Sequence, residues 1–122
     1  MALIYHITTR REWEQAQAAG EYRAESLATQ GFIHNSTSEQ VTRVANAIYR
    51  GQQGLVLLCI DRDKLNAELR FEPPDTKVPA HHYTGELFPH LYGALNTDAV
   101  VNVLDFPPNE DGTFALPSGV DA

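Results

Sequence analysis

The sequence predicts an α+β domain: a small, largely antiparallel sheet with two main helices packed to one side. Strand-like runs outnumber helical ones, both helical runs fall in the first half, and one run, LVLLCI at 55–60, is apolar at every position. A doubly wound fold would instead alternate strands and helices along the whole chain. At 122 residues there is material for one core, because chains divide into several domains only above about 250 residues. That domain is expected over 1–106. Residues 107–122 contain Pro, Gly, Asn, Asp and Ser with few apolar groups and are expected to be a loose tail.

Each element follows from its local pattern. ALIYHIT alternates, with Leu3, Tyr5 and Ile7 on one face of a strand and Ile4 and His6 on the other. Thr9 and Glu12 stand in capping-box spacing, so a helix is expected to begin at Arg10. It turns Trp13 and Ala16 inward and stops at Gly20, which takes the left-handed conformation without steric cost. GFIHN reads as a second short strand, and Ser36, Thr37 and Ser38 compete as N-caps for a second helix. Val41, Val44, Ala45, Ile48 and Tyr49 form its apolar stripe, and Gly51 closes it. LVLLCI is expected in mid-sheet, buried on both faces. AELRFEP and AVVNVLDF read as further strands, stopped by Pro73 and Pro74 and by Pro107 and Pro108, since proline donates no ladder hydrogen bond.

Composition narrows the function. Hydrophobic residues are 43% and charged residues 20%, ordinary for a globular chain. A net charge of −7 argues against nucleic acid as a partner. The longest apolar run is far below the roughly 20 residues of a membrane span, so no membrane role is expected. Cys59 has no cysteine partner in the chain, which fits a reducing compartment and a cytoplasmic protein. No G-x-G-x-x-G, G-K-[ST] or G-x-S-x-G pattern occurs, so Rossmann, P-loop and nucleophile-elbow sites are not supported.

The polar residues that could carry chemistry are His6, His34, the STS at 36–38, His81, His82, and GELFPHLYG at 85–93. A lone strand histidine is commonly a hydrogen-bonded structural residue. Here His6 and His34 both stand near strand ends and both precede hydroxyl residues, which gathers polar groups on one rim. STS has an adequate role as a cap, and a helix N-terminus also suits a phosphate. His81, His82, Glu86 and His90 invite a metal, yet adjacent histidines point to opposite faces of an extended chain and no H-E-x-x-H is present. No bound metal is expected. His90 and Tyr92 share a face and could bind a flat heterocycle or seal the sheet edge.

Taken together, IYHIT, GFIHNST with the following EQV, LLCID and FPHLYGAL resemble the domain-of-unknown-function 952 family over roughly residues 3–106. That family in turn resembles the ADP-ribosyltransferase-like superfamily, whose fold is a split, mostly antiparallel sheet holding NAD in a central cleft. The resemblance implies His6 on the ribose next to nicotinamide, with Ser36 and Thr37 at the serine motif and His34 beside them. The superfamily's catalytic glutamate has no clear match: Glu86 lies in the region, and His90 stands where a substitute would. Breaking the nicotinamide–ribose bond develops oxocarbenium character that a carboxylate stabilises, so this departure bears directly on activity.

The expectation is therefore a cleft lined by His6, His34, Ser36, Thr37, His90 and Tyr92 that binds NAD or a related nucleotide. His6 and His90 or Glu86 would act at the scissile bond in ADP-ribosyl transfer or NAD glycohydrolysis. No tightly bound cofactor is expected, and the sequence does not fix the oligomeric state. The alternatives are a non-catalytic module binding a metabolite or protein partner, and a small metal-dependent hydrolase using His81, His82 or His90.

Overall fold

The computed structural model describes residues 3–73 and 85–120. Its strands are β1 (Leu3–Thr9), β2 (Glu21–Tyr22), β3 (Ile33–His34), β4 (Leu55–Asp61), β5 (Glu68–Glu72), β6 (Phe88–Tyr92), β7 (Leu95–Asn96) and β8 (Val100–Asp105). The α-helices are α1 (Arg10–Ala19), α2 (Glu25–Gln30) and α3 (Val41–Ile48). Pairing is antiparallel throughout these strands, in sheets ordered β1-β4-β8, β2-β7 and β3-β6-β5. The α+β expectation holds, with one more α-helix than the two main ones expected. Helix α2 is six residues long and none of them is buried, so it carries no apolar stripe to read.

β4 is the central strand, and all seven of its residues are buried. Its two faces serve two cores. Val56, Leu58 and Ile60 join Ile4, Trp13, Tyr22, Ile33 and Leu91 on one side. Leu57 and Cys59 join Tyr5, Ile7, Val41, Ala45 and Phe106 on the other. β1 lies beside β4 and divides its side chains in the same way, so a strand that reads as simple alternation has both faces covered.

Local signals place most boundaries. Thr9 Oγ1 accepts from the Glu12 N–H at 3.1 Å, and Gly20 ends α1 at φ 84° with its N–H on the Ala16 carbonyl. The reciprocal half of the capping box is not made, because the Glu12 carboxylate accepts from Thr8 Oγ1 instead, at 3.0 Å. The start of α3 also differs from expectation. Ser36, paired through its backbone with Tyr5, lies five residues before the first residue of α3 and is not its N-cap. The helix begins at Val41, and Gln40 Oε1 accepts from the Thr37 N–H at 3.0 Å. The far end of the apolar stripe leaves the core as well: Ile48 is 69% exposed.

Residues beyond β8 form no helix or strand through Val120, but the segment is not loose. Phe114 is 3% exposed, its ring lies 4.9 Å from that of Phe106, and its N–H donates to Asn46 Oδ1 at 2.7 Å. Leu116 and Val120 pack against the same core. Tail composition hid a single aromatic anchor. Phe114→Ala is expected to lower unfolding free energy by about 3 kcal/mol, the usual cost of deleting a buried phenyl ring. Urea titration checks this, and a loss below about 0.5 kcal/mol, the range of surface substitutions, would restore the loose tail.

Candidate functional site

The site lies where two sheets part. Tyr5 and Ser36 exchange two backbone hydrogen bonds of 2.8 Å, an isolated bridge joining β1 to the segment after β3. A side chain spans the next gap. His6 Nδ1 lies 2.6 Å from the His34 carbonyl oxygen, and its Nε2 lies 2.9 Å from Tyr22 Oη. A carbonyl can only accept, so Nδ1 carries the hydrogen and Nε2 faces the phenol.

From there the chain of contacts runs outward. Tyr22 Oη is 3.1 Å from Thr8 Oγ1, and Thr8 donates to Glu12 Oε2. With His6 neutral, the one phenolic hydrogen of Tyr22 faces two acceptors, Nε2 and Thr8 Oγ1. Protonating Nε2 would supply the missing donor. Burial opposes that: it lowers the His6 pKa from 6.5 to about 4, against the raising effects of the His34 carbonyl and of Glu12. Burial likewise pushes Tyr22 up to about 12. His6 is thus neutral near pH 7, with both nitrogens engaged inside the protein.

His90 offers what His6 does not. It is fully buried on β6, opposite His34 in the ladder, and its ring stacks on Phe32 with centroids 4.1 Å apart. Nδ1 donates to Glu72 Oε1 at 3.0 Å, and Glu72 also accepts from Tyr92 Oη. The hydroxyl of Tyr92 is the main cause that holds the Glu72 carboxyl below its usual range, with His90 adding to it. Nε2 of His90 is buried with no hydrogen-bond partner, and so is Asn35 Oδ1. The Asn35 amide nitrogen donates to the Ile33 carbonyl at 3.1 Å, which fixes the amide and leaves its oxygen as the open acceptor.

Both His90 and Asn35 line one cavity of about 310 Å3, walled also by His6, His34, Ser36 and Phe88; a third buried unpartnered atom among the described residues, Thr42 Oγ1, lies on α3 outside that lining. Val44, Ile48 and Tyr49 supply its apolar side, which accounts for the exposed end of the α3 stripe. A second cavity of about 310 Å3 carries Thr8, Glu12, Tyr22, Glu25 and Ser26. His6, Ile7, His34 and Tyr49 line both, so the two are chambers on either side of one partition.

The structure brings four of the sequence-predicted residues to the first chamber: His6, His34, Ser36 and His90. Three others lie outside its lining. Thr37 bonds Gln40. Tyr92 gives its hydroxyl to Glu72 while the Arg70 guanidinium sits 4.5 Å over its ring. Glu86 is ion-paired with Arg43 at the surface, which holds its carboxyl below the usual range. Sequence reasoning missed Asn35, Glu72 and Tyr22. Asn35 was legible as the polar residue closing GFIHN, whereas Glu72 and Tyr22 reach the site only through pairings distant in sequence. His81 and His82 lie outside the described residues, and no group of three or more His, Cys, Asp or Glu suited to a metal occurs among the described ones. Among those residues no helix is long and apolar enough to cross a membrane.

Antiparallel sheets with three α-helices make this an α+β domain. The chain belongs to the family described as "Protein of unknown function (DUF952)", which matches residues 7–103. It is similar to protein CC0527 from Caulobacter crescentus. The crystal structure of that protein is 34% identical with a TM-score of 0.80, the match covering 94% of this chain and 95% of that one. Its solution NMR structure is 35% identical with a TM-score of 0.73, covering 93% and 91%. No curated protein matches the chain.

The His6 geometry makes acid stability a direct readout. A lowered folded pKa means the unfolded chain binds the extra proton between pH 6.5 and about 4, so stability is full above 6.5 and falls as pH drops through that window. The loss due to this group is about 3 kcal/mol at pH 4, at roughly 1.4 kcal/mol per unit. Urea unfolding of the wild type and His6→Gln from pH 4 to 7 should give curves that converge toward low pH. Parallel curves would show that His6 is not the buried neutral group.

Proposed function

We propose that the protein binds a small nitrogen heterocycle bearing N–H donors in the histidine chamber, the nicotinamide end of NAD or of a related nucleotide being the first candidate. The observation that carries this reading is a cavity walled by His6, His34, Asn35 and His90, two of which, His90 through Nε2 and Asn35 through Oδ1, hold two of the three buried side-chain atoms without partners among the described residues. A buried polar atom left unpaired costs about 1–3 kcal/mol, and a ligand that donates to both recovers that cost. A carboxamide NH2 is such a donor. The apolar wall of Val44, Ile48 and Tyr49 suits the face of a flat ring, as in small-molecule sites generally.

Ligand contact passes from His6 to His90 in this reading, because the His6 nitrogens are already bonded. His6 becomes a positioning residue. The available base is His90, oriented by Glu72 in the manner of a carboxylate–histidine pair. No carboxylate is among the described residues lining this chamber, so binding is the function proposed, and ADP-ribosyl transfer or NAD glycohydrolysis is the activity to assay at the same place.

Saturation-transfer NMR with nicotinamide and with NAD, each at millimolar concentration, tests it. Transfer is expected on the pyridine protons of both, reduced at least tenfold in His90→Phe. That variant keeps the ring stacked on Phe32, and its thermal midpoint confirms folding. Free nicotinamide released from NAD in the same tube would make the domain an enzyme. Silence from both ligands would overturn the reading.

A further inference from the structure

Among the described residues, the lining of the histidine chamber includes no arginine, lysine, aspartate or glutamate. Arg43 on α3 and Arg70 on β5 lie outside that lining, and each is paired with a carboxylate, Arg43 with Glu86 and Arg70 with Glu68. A carboxylate brought into such a chamber loses its water and gains no counter-ion, which is the costly way to bury a charge.

The three histidines of the lining share a second feature: each turns one ring N–H onto a protein oxygen. His6 Nδ1 donates to the His34 carbonyl at 2.6 Å, His34 Nε2 to Gln30 Oε1 at 2.9 Å, and His90 Nδ1 to Glu72 Oε1 at 3.0 Å. A neutral imidazole has one hydrogen, so rings held in this way have a second donor only after taking up a proton. At His90 the partner is itself a carboxylate, and its negative charge stands directly against a lining ring. Were His90 to take a proton, Glu72 would neutralise it.

We infer that this chamber selects an uncharged ring bearing an amide over the same ring bearing a carboxylate, and that Glu72 sets the choice from outside the lining. The inference rests on the heterocycle reading above and narrows its ligand class. Amide and acid have nearly the same shape, so packing against Val44, Ile48 and Tyr49 serves both alike and charge is left to separate them. Glu72 is a positioning residue: it holds the His90 hydrogen on Nδ1 and opposes negative charge across the ring. Tyr92 Oη donates to the same carboxylate oxygen, which favours its ionised form.

NMR titration of the full chain with nicotinamide and with nicotinate tests this, at about 0.15 M salt so that charges more than about 8 Å away are largely screened. The amide is expected to bind at least tenfold more tightly than the acid. In Glu72→Gln, which removes the charge and keeps the shape of the side chain, that ratio is expected to fall severalfold; purely structural damage would weaken both ligands and leave it unchanged. Without ligand, long-range proton–nitrogen correlation spectra are expected to place the His90 hydrogen on Nδ1. Nicotinate binding as tightly as nicotinamide would overturn the selection and leave the heterocycle reading in force. A ratio unmoved in Glu72→Gln, or a His90 hydrogen on Nε2, would overturn the part given to Glu72. If neither ring binds, the heterocycle reading falls and takes this one with it.

Discussion

The bridge that His6 makes across the split between β1 and β3 is the contact on which the site depends. Backbone pairing between these two segments amounts to a single bridge at Tyr5 and Ser36, and an antiparallel pair that short is marginal by itself. The imidazole extends it, tying the His34 carbonyl to β1 and the β1 side chain to Tyr22. A longer ladder would have closed the gap and removed the cavities. Without the imidazole, the Tyr5–Ser36 backbone pair and apolar packing would be left to set their spacing. A side-chain link of fixed length holds them apart by the size of one ring.

That link is stable because both cores press on it. Ile4 of β1 packs in the cluster containing Trp13, Leu58 and Leu91, and Tyr5 and Ile7 in the one containing Val41 and Phe106. His6 is 8% exposed as a result, and its burial outweighs the hydrogen bonds that would favour the imidazolium. On the other side of the split, β6 is held by β5, and this is how Glu72 comes to orient His90 from a neighbouring strand. The two histidines therefore do different work. His6 has a protein contact at each nitrogen and fixes geometry, while His90 has one nitrogen bonded and one without a partner.

Much of the fold was legible because its signals are local. The apolar LVLLCI run marks the central strand, Thr9 and Gly20 bound α1, and the spacing from Val41 gives α3. The errors fall where another partner or a cavity wins over the local signal. Ser36 reads as a cap and is taken by Tyr5, Glu12 reads as half of a capping box and is taken by Thr8, and Ile48 reads as core but forms the lip of a cavity. Of the site, the histidines and Ser36 were visible as residue types at strand ends. Their convergence was not, and neither were Glu72 and Tyr22, because sheet order is what places them and no periodicity encodes it.

The misread positions also mark where local preference gave way to the site. The start of α3 at Val41 leaves the N-cap position to Gln40, with no side-chain cap bond, a loss of about 1 kcal/mol, while the Ser36 backbone sets the mouth of the split with Tyr5. An Ile48 turned inward would have added apolar burial, and its exposure supplies the cavity with an apolar wall. The two orphan acceptors are a further cost of the same sign. Natural sequences agree with their folds level by level except where function demands otherwise. Here four of the departures fall on residues that line one cavity, Ser36, Ile48, Asn35 and His90, while Glu12 lines its neighbour and the unpartnered Thr42 Oγ1 lies on neither. Most of these costs therefore meet at the cavity where the proposed ligand would sit.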